Sequence, residues 1–122
     1  MLVLVLAMPA SGDGAVAWIA SPSGNITCQI SNRYAGSTDV YCQSERVPES
    51  VTMGIKGRLR ICRGQRCLGN APADSTVTLG FGKSRAVGPF RCTSLRQGVR
   101  CVVTATSRGF VIDRRTIAPV TP

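Results

Sequence analysis

The sequence predicts an all-β fold: a small, disulfide-stapled antiparallel sandwich or barrel of about seven to eight short strands, preceded by a cleaved signal peptide. Three observations predict it. Apolar residues recur with period two in short runs, as in Ile26-Thr27-Cys28-Gln29-Ile30, and no stretch sustains a helical period. The 13 Gly and 7 Pro fall between those runs as turn chemistry. The 6 Cys are an even number in a chain of 122 residues, which favours three disulfides in a domain too small to rest on its core alone.

The apolar run Met1–Met8 is broken by Pro9, Ser11, Gly12 and Gly14 and followed by Ala15-Val16-Ala17. That is a signal-peptide h-region with a small-residue site, so cleavage is expected before Trp18, leaving 1–17 as the signal peptide. No cation precedes the run, as expected if the true start lies upstream. The run is too short for a transmembrane helix, which needs ~20 apolar residues.

Ser21–Asn25 is a turn leading into the strand Ile26–Ile30. Val40–Gln43 follows a polar loop containing Gly36, and a hairpin centred near Ala35 sets Cys28 against Cys42. Asn25-Ile26-Thr27 also fits an N-glycosylation acceptor, although Asn25 reads first as a turn residue. After a linker around Pro48 come candidate strands Val51–Ile55 and Gly57–Ile61. In the second, Arg58 and Arg60 are expected outward and Leu59 and Ile61 inward. A tight turn at Gly64-Gln65 would oppose Cys62 to Cys67, but parity puts Cys62 on the Arg side, so either a bulge repairs the register or these two cysteines pair elsewhere.

Beyond the loop 68–75, Thr76–Phe81 is expected as a strand with Val77, Leu79 and Phe81 on one face, and Gly82–Pro89 as a basic turn. Phe90–Cys101 reads as one hairpin. A turn centred on Arg96 and Gln97 puts Cys92 opposite Cys101, Thr93 opposite Arg100 and Leu95 opposite Gly98. Opposed Cβ atoms lie ~4.5–5.5 Å apart and a disulfide needs ~3.5–4.5 Å, so the register nearly makes the bond. Sequential pairing is therefore expected: Cys28–Cys42, Cys62–Cys67 and Cys92–Cys101. Val102–Ala105, a Ser107–Gly109 turn and the strand Phe110–Asp113 complete a domain over 18–113, with 114–122 expected as a flexible tail.

The formal charge is +9, and only Lys56 and Lys83 among the 15 basic residues are not Arg. Arginine binds phosphate and carboxylate bidentately, so anionic partners are expected. Lys56, Arg58, Arg60, Arg63 and Arg66 lie in one short stretch and are the anion-binding candidates. No stacking aromatics accompany them, which ranks nucleic acid below envelope polymers and lipid head groups. The chain has no histidine, which removes Ser-His-Asp and Cys-His nucleophilic sites and His-ligated zinc. The five carboxylates left after cleavage, Asp39, Glu45, Glu49, Asp74 and Asp113, sit in turns, linkers or strand ends, and no Gly-rich phosphate loop exists. A Cys-only zinc site from Cys62, Cys67 and two other cysteines would need reducing surroundings. No catalytic residue, metal or cofactor is expected.

Ser21-Pro-Ser-Gly-Asn-Ile-Thr-Cys28, Val40-Tyr-Cys42, Gly88-Pro-Phe-Arg-Cys92, Gly98-Val-Arg-Cys101 and Arg108-Gly-Phe-Val-Ile112 resemble a family of small exported actinobacterial, mycobacterial-type proteins of unknown function. Its pattern runs PSGNIxC, FxC, GVxC and GHGF. Ser107-Arg108 stands where that pattern has Gly-His, and the stretch around Cys62 and Cys67 matches poorly. The resemblance implies export and paired cysteines and supplies no activity. The expected function is that of a secreted, monomeric, non-catalytic module whose Arg-rich face binds anionic envelope components. The alternative is a secreted inhibitor or effector presenting the loop bounded by Cys62 and Cys67 to a protein target.

Overall fold

A computed structural model describes residues 14–122. Among them eleven strands form: β1 (Ala15–Ala20), β2 (Ile26–Tyr34), β3 (Ser37–Ser44), β4 (Glu49–Gly54), β5 (Leu59–Arg63), β6 (Thr76–Thr78), β7 (Ser84–Val87), β8 (Phe90–Ser94), β9 (Gly98–Val103), β10 (Arg108–Asp113) and β11 (Ile117–Val120). A 3₁₀ turn at Gln65–Cys67 is the one helical element among the described residues, and none is long and apolar enough to cross a membrane. The strands make two sheets, ordered β5-β4-β3-β2-β1-β6 and β11-β10-β9-β8-β7. All pairings are antiparallel except β1 with β6.

The period-two pattern explains the core. Ile19, Ile26, Cys28, Ile30, Val40, Cys42, Val51 and Met53 face inward from the first sheet. Phe90, Cys92, Val99, Cys101, Val103, Phe110 and Ile112 face them from the second. Burying such side chains contributes about 1.5–3 kcal/mol each. The three bridges are Cys28–Cys42, Cys62–Cys67 and Cys92–Cys101, and no described cysteine is free. The two hairpin bridges join directly opposed residues, with Cα atoms 4.0 and 4.1 Å apart. They meet across the core, where Cys42 Sγ lies 3.7 Å from Cys101 Sγ. The β8–β9 register is the one the hairpin reading gives, down to the Leu95 N–H donating to the Gly98 carbonyl at 2.8 Å.

Several expectations are corrected. The chain forms more strands than the seven or eight predicted. The basic turn expected over 82–89 contains β7, paired with β8. Residues 117–120, expected in a frayed tail, are β11, where Ile117 opposes Ile112 and is buried. The strand expected over Thr76–Phe81 stops at Thr78. Only Leu79 packs on the core, whereas Val77 and Phe81 are exposed, because β6 is an edge strand and Gly82 turns the chain at φ 79°. The β4–β5 register runs without a shift, so no bulge accommodates Cys62. Cys62 does lie on the Arg60 side, and the 3₁₀ turn, entered at Gly64 with φ 113°, brings Cys67 back to it. The expected leader lies mostly in residues 1–13, outside the described residues. Its boundary before Trp18 falls within β1, where Ala15–Ala17 pair with Asn32–Ile30 and Ala17 is buried.

Between β5 and β6 the chain crosses the outer face of the first sheet as a strap. The Tyr41 hydroxyl donates to the Cys67 carbonyl at 2.7 Å. The Gln43 side chain binds both backbone polar groups of Gly69, accepting from its N–H at 2.8 Å and donating to its carbonyl at 2.9 Å.

Two stability outcomes follow. Replacing Cys92 and Cys101 together by Ser should cost ~2–5 kcal/mol in denaturant unfolding. Replacing Cys62 and Cys67 should cost less, because that bridge closes a separation of 5 residues rather than 9 and the closure entropy grows with loop length. Equal costs would contradict this ranking. Mild reductant should open Cys62–Cys67 first, since the other four cysteines are at most 2% exposed; mass mapping of alkylated thiols reads the order.

Candidate functional site

Strand direction puts the turns after β1, β3, β6, β8 and β10 at one end of the sandwich, where they surround a cleft of about 550 Å³. Four arginines from three of these turns line it: Arg46, Arg96, Arg114 and Arg115. The lining has one carboxylate, Asp113, together with hydroxyl and amide groups of Ser21, Ser23, Asn25 and Gln97 and the apolar surface of Phe81 and Leu95.

Each arginine is carried on a turn fixed by short-range hydrogen bonds. Asn25 accepts the Arg46 N–H at its side-chain oxygen (2.7 Å) and the Glu45 N–H at its carbonyl (3.0 Å), and its amide donates to Ser44 (3.2 Å). Asn25 is thus the turn residue its position suggested. The Leu95–Gly98 bond closes the turn that holds Arg96, whose guanidinium carbon sits 5.7 Å from the centre of the Phe81 ring. Asp113 Oδ1 accepts the N–H groups of Arg115 (2.7 Å) and Thr116 (2.8 Å), an Asx turn that presents Arg114 and Arg115. Gly98 brings two of these turns together, because it pairs with Asp113 and a Cβ there would land on the Ile112 carbonyl oxygen. None of the four guanidinium groups is ion-paired among the described residues; the ion pair found there joins Arg63 and Glu49.

The candidates from the sequence do not share a face. Lys56 and Arg58 lie in the β4–β5 turn, at the end opposite the cleft. Arg60 opposes Thr52 on the outer face of the first sheet. Arg63 lies on the core side by register, opposite Glu49, and its Nη1 donates to Glu49 Oε1 at 2.7 Å. Arg66 is in the 3₁₀ turn. β5 was expected to be apolar inside and cationic outside. It is exposed along most of its length, Ile61 included, because it is the edge strand of the larger sheet. Nothing in the local sequence marks Arg46, Arg96, Arg114, Arg115 and Phe81 as a group. The signal was present only as an Arg beside turn chemistry in each of several loops; their convergence needs the topology.

Two buried or half-buried carboxylates stand apart from the cleft. Glu49 is 1% exposed, and its Oε2 has no hydrogen-bond partner among the described residues. Partial burial pushes the Asp39 carboxyl above the ordinary 3.8, an effect the nearby Arg60 charge opposes. The sulfurs of Cys28, Cys42 and Cys101 cluster within 4.8 Å of one another, but each is in a disulfide and offers no thiolate to a metal.

Fold and site together define a disulfide-stapled β-sandwich with a cationic cleft among the loops at one end. No protein-family model, curated protein or solved structure matches the chain.

A carboxyl that protonates more readily in the folded chain stabilises the fold below its ordinary pKa, and that contribution is lost as pH rises through the raised value. Asp39→Asn should therefore raise stability at neutral pH, with the gain vanishing below pH 3.8; equal unfolding midpoints at pH 7 would contradict the burial penalty. Arg63→Ala leaves the buried Glu49 without its charged donor and should cost about 1–3 kcal/mol in denaturant unfolding.

Proposed function

We propose that this chain is an extracytoplasmic, non-catalytic binding module that acts as a monomer and holds anionic groups of the cell envelope in its loop-end cleft. The observation that carries the reading is the set of four arginines around one cleft, without ion-pair partners among the described residues and each on a turn pinned by hydrogen bonds. Guanidinium groups carried on such fixed turns suit phosphate and carboxylate oxygens, and charge-assisted bonds are the stronger class. Lys56, Arg58, Arg60 and Arg66 add a dispersed positive field, which steers anions toward the molecule rather than gripping them.

Three disulfides support an oxidising compartment, and the resemblance to exported actinobacterial proteins agrees with secretion. Binding without catalysis fits a cleft whose carboxylate, Asp113, is occupied in holding its own turn, in a chain without histidine. The presented-loop alternative finds less support. Arg63 is drawn to Glu49, and the Cys67 carbonyl is tied to Tyr41, so the loop between Cys62 and Cys67 rests on the sheet.

Calorimetric titration with inorganic pyrophosphate tests the proposal. Binding should weaken steeply with ionic strength. The double variant Arg114→Ser, Arg115→Ser should weaken it about tenfold or more, ~1.4 kcal/mol. The double variant Arg58→Ser, Arg60→Ser should change it only slightly. Loss of binding in the second variant and not in the first would move the site to β5 and overturn the cleft reading.

A further inference from the structure

The cleft holds an apolar feature that a site for a bare anion does not need. Phe81 is 52% exposed, although a buried phenylalanine would contribute about 1.5–3 kcal/mol to the fold. Its turn is not loose. Leu79 N–H donates to the Ala20 carbonyl at 2.9 Å, Gly82 N–H to the Ser94 carbonyl at 2.7 Å, and Lys83 N–H to the Gly80 carbonyl at 3.0 Å. Leu79, two residues earlier, packs on the core, while the ring of Phe81 is held out at the cleft wall. The Arg96 guanidinium lies over that ring, a cation–π geometry that places a phosphate-binding group directly beside an apolar surface. Leu95 extends the surface, and the hydroxyl of Ser23 and the amide of Gln97 line the same cleft. A volume near 550 Å³ is in the range that holds a small organic ligand and exceeds what one phosphate fills.

Building on the anion-binding reading above, we infer that the cleft takes a phosphorylated sugar or cyclitol ring. Its phosphoryl group is held by the arginines, its apolar ring face lies against Phe81, and its hydroxyls meet the neighbouring hydroxyl and amide groups. The ring could come as a soluble sugar phosphate or as the head group of a lipid; the recognising chemistry is the same. The polar donors and acceptors around the aromatic suit a ring bearing hydroxyls better than a flat base, which stacks on an open aromatic face.

The test titrates the full, oxidised chain and its Phe81→Ser variant with inorganic phosphate, glucose 1-phosphate and adenosine monophosphate, and floats both proteins with vesicles containing phosphatidylinositol or phosphatidylglycerol. Glucose 1-phosphate should bind about tenfold tighter than inorganic phosphate. Phe81→Ser should erase that increment, so that glucose 1-phosphate and inorganic phosphate bind the variant equally. Phe81 is 52% exposed, so the variant should keep its fold, which an unchanged thermal unfolding midpoint verifies. Phe81-dependent flotation with phosphatidylinositol over phosphatidylglycerol assigns the ring to a lipid, and tight soluble binding without flotation assigns it to a free sugar phosphate. Equal affinity for phosphate and glucose 1-phosphate overturns the ring and leaves anion binding standing. So does adenosine monophosphate binding more tightly than the sugar phosphate with the same Phe81 dependence. Absence of binding by every anion overturns both readings.

Discussion

Two disulfides facing each other across the core hold this molecule in register. Cys28–Cys42 ties β2 to β3 in one sheet and Cys92–Cys101 ties β8 to β9 in the other, with 3.7 Å between the nearest sulfurs of the two bridges. A slip of one residue in either hairpin would exchange its inner and outer faces. The bridges forbid that slip, and so decide that the isoleucines and valines beside them face the core. They matter more here because the large fully buried aromatics are few, chiefly Phe90 and Phe110.

The same register sets where the strands end. With β8, β9 and β10 aligned by Cys92–Cys101 and by the Phe110–Cys101 pairing, the turn holding Arg96 and the turn holding Arg114 and Arg115 emerge side by side. Gly98 permits their close approach, and Asp113 spends a carboxylate on shaping the turn rather than on neutralising its arginines. From the other sheet, Asn25 fixes the turn that adds Arg46. The positive charge of the cleft is thus a product of turn chemistry, and its four arginines have no ion-pair partner among the described residues. Phe81 belongs to the same logic: it is an apolar group kept at the surface by a pinned turn, next to a cation.

The parts of this arrangement that depend on local pattern were legible in the sequence. Alternation around Cys28, Cys42, Cys92 and Cys101 gave the inward faces and the sequential pairing, because cysteine spacing and turn chemistry both depend on near neighbours. What depends on position within a sheet was not legible. Val77 and Ile61 have strand-like spacing but sit on edge strands, where one face of the pattern has nothing to pack against. β11 reads as a charged, Pro-containing end, yet β10 offers an unpaired edge and Ile117 fills a place beside Ile112. The run of cations from Lys56 to Arg66 is dense in sequence and scattered in space, because alternate strand positions point to opposite faces and its ends lie in different turns. The arginines of the cleft show the reverse relation, far apart in sequence and gathered by topology.

The proposed function puts anions at this end of the sandwich and not on the cationic stretch around β5. Backbone amide chemical-shift mapping of the oxidised protein during a titration with inorganic pyrophosphate separates the two. Saturating shifts are expected at Arg46, Arg96, Gly98, Arg114 and Arg115, with residues 56–66 unmoved. Shifts confined to 56–66, or none at concentrations that saturate the calorimetric signal, would contradict that placement.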